Sequence, residues 1–224
     1  MSKVVSNYIL SNNGELQAIQ TGKVYGAVSH VAGGKTTFCT KTVHKALVQY
    51  GVDVLFWTLE GATEYVLASV RACHFNYMYE KLGYKPLTGH NILNDEFPTE
   101  EHKELEAKSR EDLAKNEKYG YLRAFASTPY IDLLESKLQE LTTEVDYKLI
   151  AFDGLDLVLN EDGERNHKEV VESAFNIVLD FVEGKNVAIL STNQRPIDTR
   201  GYVSLENRLN KPNFVEIDLD KVQF

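Results

Sequence analysis

VYGAVSHVAGGKTT, residues 24–37, is the stretch on which the fold turns. Its first half, Val24–Ser29, is a β-branched and aromatic run of strand length, and a helical period starts at about Lys35 and continues to Tyr50. Between them lies SHVAGGKTT, residues 29–37, in which Gly34, Lys35 and Thr36 fill the last three positions of the phosphate-loop pattern G-x-x-x-x-G-K-[ST]. In that pattern glycines let backbone N–H groups turn inward around phosphate, the lysine adds a compact positive charge, and the hydroxyl ligates magnesium. Ser29 stands where the first glycine is usual and is still small, while Gly33 adds freedom just before the final glycine. A G-K-T tripeptide alone arises by chance in surface turns, but a strand directly before it and a helix directly after are the context the motif requires. Ser29, Gly33, Gly34, Lys35, Thr36 and Thr37 are therefore the expected cradle for a nucleoside triphosphate, with ATP and Mg2+ as ligands.

Outward from this unit the same alternation repeats. Residues 52–58 (VDVLFWT) form a near-continuous apolar strand, followed by a helix over about 65–78 whose Tyr65, Val66, Ala68 and Val70 mark a mostly buried face. A third strand is predicted over 121–126, after which Ser127 or Thr128 caps a helix carrying Ile131, Leu133, Leu134, Leu138 and Leu141. Residues 147–152 (YKLIAF) are the fourth strand, 168–182 a further helix, 187–191 the fifth strand, and 215–219 (VEIDL) a late edge strand. Buried strands separated by helices imply an α/β fold with a doubly wound, mostly parallel sheet and helices on both faces. Residues 98–118 depart from the alternation, being almost entirely polar with Glu and Lys interleaved on a helical frame. They read as a solvated surface helix with i,i+4 pairs, the alternative being a partner-binding helix.

The chain of 224 residues, 43% hydrophobic and 25% charged with 5 prolines, has enough apolar surface for a full core and is neither disordered nor low-complexity. We expect a single domain over 1–224, with an N-terminal extension at 1–20 and a polar helical insertion at 83–118. Cys39 and Cys73 are too few for a disulfide framework or a zinc cluster, which points to a reducing, cytoplasmic setting. The first ten residues lack the apolar core of a signal peptide, and no run approaches the roughly 20 apolar residues of a membrane span, so no membrane association is expected. A net charge of −9 argues against a generally basic nucleic-acid coat, although a positive channel is compatible with it.

Three downstream positions complete a nucleotide site. Asp153 follows the apolar run of Leu149, Ile150, Ala151 and Phe152, where a phosphate-loop enzyme holds its magnesium-shell carboxylate; the bland alternative is a turn at Asp153-Gly154. Glu60 follows the second strand after one leucine, at the sheet edge shared with the phosphate loop, and is the candidate to orient or deprotonate the attacking water; a helix-start glutamate is the alternative. The fifth strand ends in Ser191-Thr192-Asn193-Gln194-Arg195, at the edge where such sheets bind ligands. Gln194 is the chosen γ-phosphate sensor because its amide both donates and accepts, with Thr192 and Asn193 as alternatives.

Taken in order, GGKTT, Thr58-Leu59-Glu60, LIAFDGLDLV (149–158) and AILSTNQR (188–195) resemble the RecA-like ATPase core of the DnaB-type replicative helicases, possibly phage-type, over about 22–195. The resemblance implies a RecA-like phosphate-loop fold, a catalytic glutamate at Glu60, a magnesium-handling aspartate at Asp153, and hexameric rings that draw single-stranded DNA through their centre. It also implies a helicase loader or primase-type protein as partner. Arg208 matches an arginine-finger position reaching a neighbouring subunit's nucleotide, while Glu206 stands where a lysine is frequent. Three departures stand out: Thr192 replaces the family's glutamine after the strand-ending serine, only about a dozen residues separate the sensor strand from the closing segment, and the N-terminal helical domain is absent.

Three readings compete. One is a motor coupling ATP hydrolysis to translocation on single-stranded DNA, with Arg195, Arg200 and Lys211 near the channel. Another is a RecA-like or KaiC-like ATPase that switches assembly or partner binding, favoured by the acidic and poorly basic loop NEDGERNHK, 160–168, which also lacks aromatic residues for stacking. A third is a degraded ATPase acting as a binding module.

Overall fold

A computed structural model of the chain describes residues 2–10, 14–30, 33–164, 168–194 and 204–223. In chain order the elements are β1 (Val4–Leu10), β2 (Leu16–Gln20), β3 (Val24–Ser29), α1 (Lys35–Tyr50), β4 (Val54–Thr58), α2 (Thr63–Tyr79), α3 (Gly89–Leu93), α4 (Glu100–Lys115), β5 (Leu122–Ala126), α5 (Leu134–Thr142), β6 (Leu149–Asp153), α6 (Lys168–Val182), β7 (Ala188–Gln194), α7 (Leu205–Leu209), β8 (Phe214–Asp218) and β9 (Val222–Gln223). Six of the strands make one sheet in the order β5-β4-β6-β7-β3-β8, and every pairing in it is parallel. The doubly wound α/β architecture read from the sequence is the one observed.

Side-chain parity sorts each central strand between two cores. Val54 and Phe56 of β4, Leu149 and Ala151 of β6, and Ala188 and Leu190 of β7 pack on the side of α1. Leu55 and Trp57, Ile150 and Phe152, and Ile189 pack on the opposite side against α5 and α6. Strands buried on both faces read as continuous apolar runs, which is why they were legible in the sequence. The parity continues into the polar residues at the strand ends and thereby decides which of them face α1.

Two strand ends differ from expectation. β6 includes Asp153, and β7 runs on through Thr192, Asn193 and Gln194 instead of stopping at Ser191. Polar residues read as loop from the sequence, yet Thr192 and Asn193 are buried and β7 stays in register with β3 up to the pair Ser29 and Gln194. The late edge strand is present as β8, parallel to β3.

Residues expected as an N-terminal extension carry β1 and β2, an antiparallel pair that β9 extends to three strands. Its alternation is masked in the sequence because the buried positions include polar residues satisfied by α1: Ser6 Oγ donates to the Thr42 carbonyl at 2.8 Å and Asn7 Nδ2 to the Tyr50 hydroxyl at 2.5 Å.

The polar segment between α2 and β5 is not a freely solvated helix, which corrects the sequence reading. Its α4 buries His102, Glu106 and Ser109 and is tied to α2, where Arg71 Nε donates to Glu106 Oε1 at 2.8 Å. A small separate core of Ala68, Ala72, Phe75, Leu87 and Ile92 fills the space beside it. The described cysteines are free thiols, and no described helix is long and apolar enough to cross a membrane.

Candidate functional site

The phosphate loop lies between β3 and α1. Gly34 caps α1 with φ 75° and ψ 17°, a left-handed conformation that costs glycine least. Gly33 is required for a different reason: a Cβ there would lie 2.5 Å from Ser29 Oγ. The Ser29 side chain, buried and donating to the His30 carbonyl at 3.1 Å, thus occupies room that the second glycine vacates. Replacement of the usual first glycine is accommodated by this exchange. Lys35 Nζ donates to the same His30 carbonyl at 3.2 Å, folding the ammonium back across the loop, and Thr37 is exposed at the start of α1.

The row of residues ending the central strands is the chemical core of the site. Register aligns Thr58 of β4 with Asp153 of β6, and Asp153 with Thr192 of β7. All three share the parity of the α1-facing residues, so the Asp153 carboxylate meets the first turn of α1. Thr36 Oγ1 donates to it, lying 3.0 Å from Oδ2 and 3.2 Å from Oδ1. Thr192 Oγ1 donates to Oδ1 at 2.8 Å and accepts from the Gly154 amide at 3.0 Å. Asp153 is 5% exposed. Burial raises its carboxyl pKa and the nearby Glu60 charge adds to the rise, against the hydrogen bonds from Thr192 and Thr36 and the charge of Lys35.

One step beyond that row stand Glu60 and Gln194, two residues past Thr58 and Thr192, both exposed. Gln194 is paired with Ser29 across β7 and β3, which places it at the mouth of the phosphate loop. Asn193, an alternative sensor in the sequence, has the opposite parity, and its buried Nδ2 has no hydrogen-bond partner. Thr192, the other alternative, is engaged by Asp153. Arg208 falls in α7, with its side chain outside the described residues, as are Arg195 and Arg200 altogether.

A residue missed by sequence reasoning is Asp156, in a 3-10 turn (Leu155–Leu157) that follows Gly154 at φ 92°. It is 8% exposed, and its Oδ2 accepts from the Gln194 amide at 2.9 Å. Burial pushes its carboxyl up to about 6, with the charge of Glu60 raising it further and that of Lys35 opposing. Its only sequence signal was a second aspartate three residues after the first.

An oxygen-only set of one carboxylate and one threonine hydroxyl suits a hard, small cation that keeps most of its shell for water and phosphate, as Mg2+ does. Among the described residues no group of three or more His, Cys, Asp or Glu side chains could cage a metal on its own.

Comparison of the fold with solved structures finds a helicase-type ATPase domain, with a TM-score of 0.62 and 10% identity, over 84% of this chain and 64% of that one. It also finds a DnaB-like replicative helicase, described with its interactions with primase, with a TM-score of 0.58 and 12% identity, over 82% of this chain and 41% of that one. The fold is that of a DnaB-like helicase ATPase core. The chain thus spans less than two thirds of the length of either relative. No protein-family model matches the chain, and no curated protein matches it in sequence.

Proposed function

We propose that the whole chain works as one RecA-like ATPase domain that hydrolyses ATP and couples hydrolysis to movement along single-stranded DNA in a hexameric ring. The observation that carries the ATPase reading is the lacing of Thr36, Asp153 and Thr192 at the N-terminus of α1 beside Lys35. Backbone amides of Gly33, Gly34, Lys35, Thr36 and Thr37 cradle the phosphates, with Ser29 shaping the loop beneath them, and the Lys35 ammonium swings from the His30 carbonyl to the β- and γ-phosphates. Thr36 and Asp153 hold Mg2+, which supplies positive charge at the phosphate oxygens. Glu60, exposed at the end of β4, orients a water for attack on the γ-phosphorus and takes its proton as the bond to the ADP oxygen breaks. Gln194 reads the γ-phosphate from the β7 side, and Arg208 reaches the nucleotide of the next subunit. The printed association of a DnaB-like relative with primase makes a primase-type protein or a helicase loader the proposed partner, in the cytoplasm.

Replacing Lys35 by Ala is the direct test, since it removes the compact cation from the cradle. We expect loss of detectable binding of a fluorescent ATP analogue; unchanged affinity would overturn the nucleotide reading. Turnover should rise when single-stranded DNA is added. A second reading, an ATPase that switches assembly or partner binding without moving DNA, is favoured by the loop after β6, where Glu161, Asp162 and Glu164 are exposed and no base stands among residues 159–164. ATP turnover indifferent to single-stranded DNA would select it.

A further inference from the structure

The β6 ladder to β7 stops at the pair Asp153 and Thr192, so the backbone amide of Gln194, two residues on, has no strand carbonyl to meet on that side. The Asp156 carboxylate supplies the acceptor at 2.9 Å. The chain is shaped to bring it there: Gly154 takes φ 92°, and the Leu157 amide donates to the Gly154 carbonyl at 2.9 Å, closing the turn that holds Asp156 over the end of β7. A buried carboxylate is an expensive way to satisfy one amide, because a neutral acceptor would avoid the desolvation of a charge. Its place is informative, however, since the Lys35 and Glu60 charges both act on it.

We propose that Asp156 is a positioning residue for recognition of the γ-phosphate: by holding the Gln194 amide it fixes where the Gln194 side chain stands at the mouth of the phosphate loop. This rests on the nucleotide reading above and deepens it. Asp156 itself touches neither phosphate nor the reacting water. It acts through the backbone of Gln194, whose register with Ser29 is what ties the end of β7 to the cradle. Thr192 and Asp153 anchor the preceding step of the same strand pair, so the two aspartates divide the work: Asp153 faces the first turn of α1, and Asp156 sets the residue beyond.

The test compares affinities of fluorescent ATPγS and ADP analogues for the full chain, with Asp156→Ala, Asp156→Asn and Gln194→Ala. Asn keeps an oxygen acceptor in the same place, whereas Ala removes it. Asp156→Ala should lower the preference for ATPγS over ADP by about tenfold, the size of one hydrogen bond lost, with ADP affinity held to within about twofold. Asp156→Asn should keep the wild-type preference to within about threefold. Gln194→Ala should reproduce the Asp156→Ala defect, and the double variant should add nothing to it, as expected for two residues acting as one unit. A merely structural role would weaken both nucleotides alike. Wild-type preference in Asp156→Ala, an equal loss for both nucleotides, or an Asn variant as defective as the Ala variant would each overturn the proposal. Failure of the ADP analogue to bind wild-type protein would overturn the nucleotide reading and this inference together, whereas normal ADP binding with an unchanged preference removes the role of Asp156 alone.

Discussion

The cluster of Asp153, Thr192 and Thr36 at the sheet edge and the chain of His44, His74 and Asp112 between α1, α2 and α4 are both buried polar networks resting on α1. His44 Nε2 lies 3.0 Å from His74 Nδ1, and His74 Nε2 lies 3.0 Å from Asp112 Oδ2. Their electrostatics run in opposite directions. At the sheet edge Asp153, Asp156 and Glu60 raise one another's cost of ionisation around a single lysine. Between the helices, burial lowers His44 to about 3 and lowers His74 as well, with Asp112 opposing the latter. The second network is neutral and closed on itself, as a joint should be. The first carries an excess of negative charge at an open mouth and gains from an added cation, as a magnesium-nucleotide site should.

On that contrast, substitutions at the sheet edge change turnover and those at the joint change stability. The largest expected effect is at Arg208: an arginine finger contributes roughly 10³ to 10⁵ in rate, so Arg208→Ala should lose that much ATPase activity. Mixing it with Lys35→Ala subunits should restore part of the activity, because some interfaces then pair an intact cradle with an intact finger. A mixture as inactive as either variant alone, from a wild type that sediments as a monomer and still hydrolyses ATP, would remove the trans role.

Next is the joint between α2 and α4. Glu106→Ala leaves the Arg71 guanidinium without the partner to which its Nε donates at 2.8 Å, and should destabilise the chain by about 3 kcal/mol in denaturant unfolding. ATP-analogue affinity measured well below the melting temperature should stay put. A matching loss of affinity would show that the inserted helix belongs to the site and would break the contrast. Glu60→Gln is the complementary case: kcat should fall by roughly 10² or more, while nucleotide binding and thermal stability hold. Equal turnover would return Glu60 to a helix-start glutamate.

The smallest effect sharpens the comparison through pH, without nucleotide. Because the Asp156 carboxyl is raised to about 6, the native state binds more protons than the unfolded chain between about pH 4 and 6, and this group's contribution to stability is lost as pH rises through that window. His44, lowered to about 3, has the opposite sign: its contribution is present above its ordinary value near 6.5 and is lost as pH falls below it. Each amounts to about 2 kcal/mol over one and a half units. Asp156→Asn should therefore make unfolding free energy climb more steeply with pH between 4 and 6, and His44→Gln should flatten the fall below 6.5. Slopes unchanged in both variants would show that neither group is held as described.

The sequence by itself determined the parallel α/β frame, because strands buried on both faces must read as apolar runs, and it determined the phosphate loop, because its residue types have few other uses between a strand and a helix. Asp153 was legible for the same reason, standing at the end of an apolar run. Parity along β6 and β7 even contained the pairing of Asp153 with Thr192, since Ala151 and Leu190 two residues earlier face the same core. What only the tertiary structure decided were contacts whose partners lie far apart in the chain and whose residue types are ambiguous alone. Thr192 and Gln194 became strand residues because β3 pairs with them to the end. Ser6 and Asn7 became buried because α1 offers a carbonyl and a hydroxyl to satisfy them. Ser29 became acceptable in a glycine's place because Gly33 gave up the room. Asp156, one aspartate among many along the sequence, acquired a role when a turn after β6 brought it to an amide that had run out of strand.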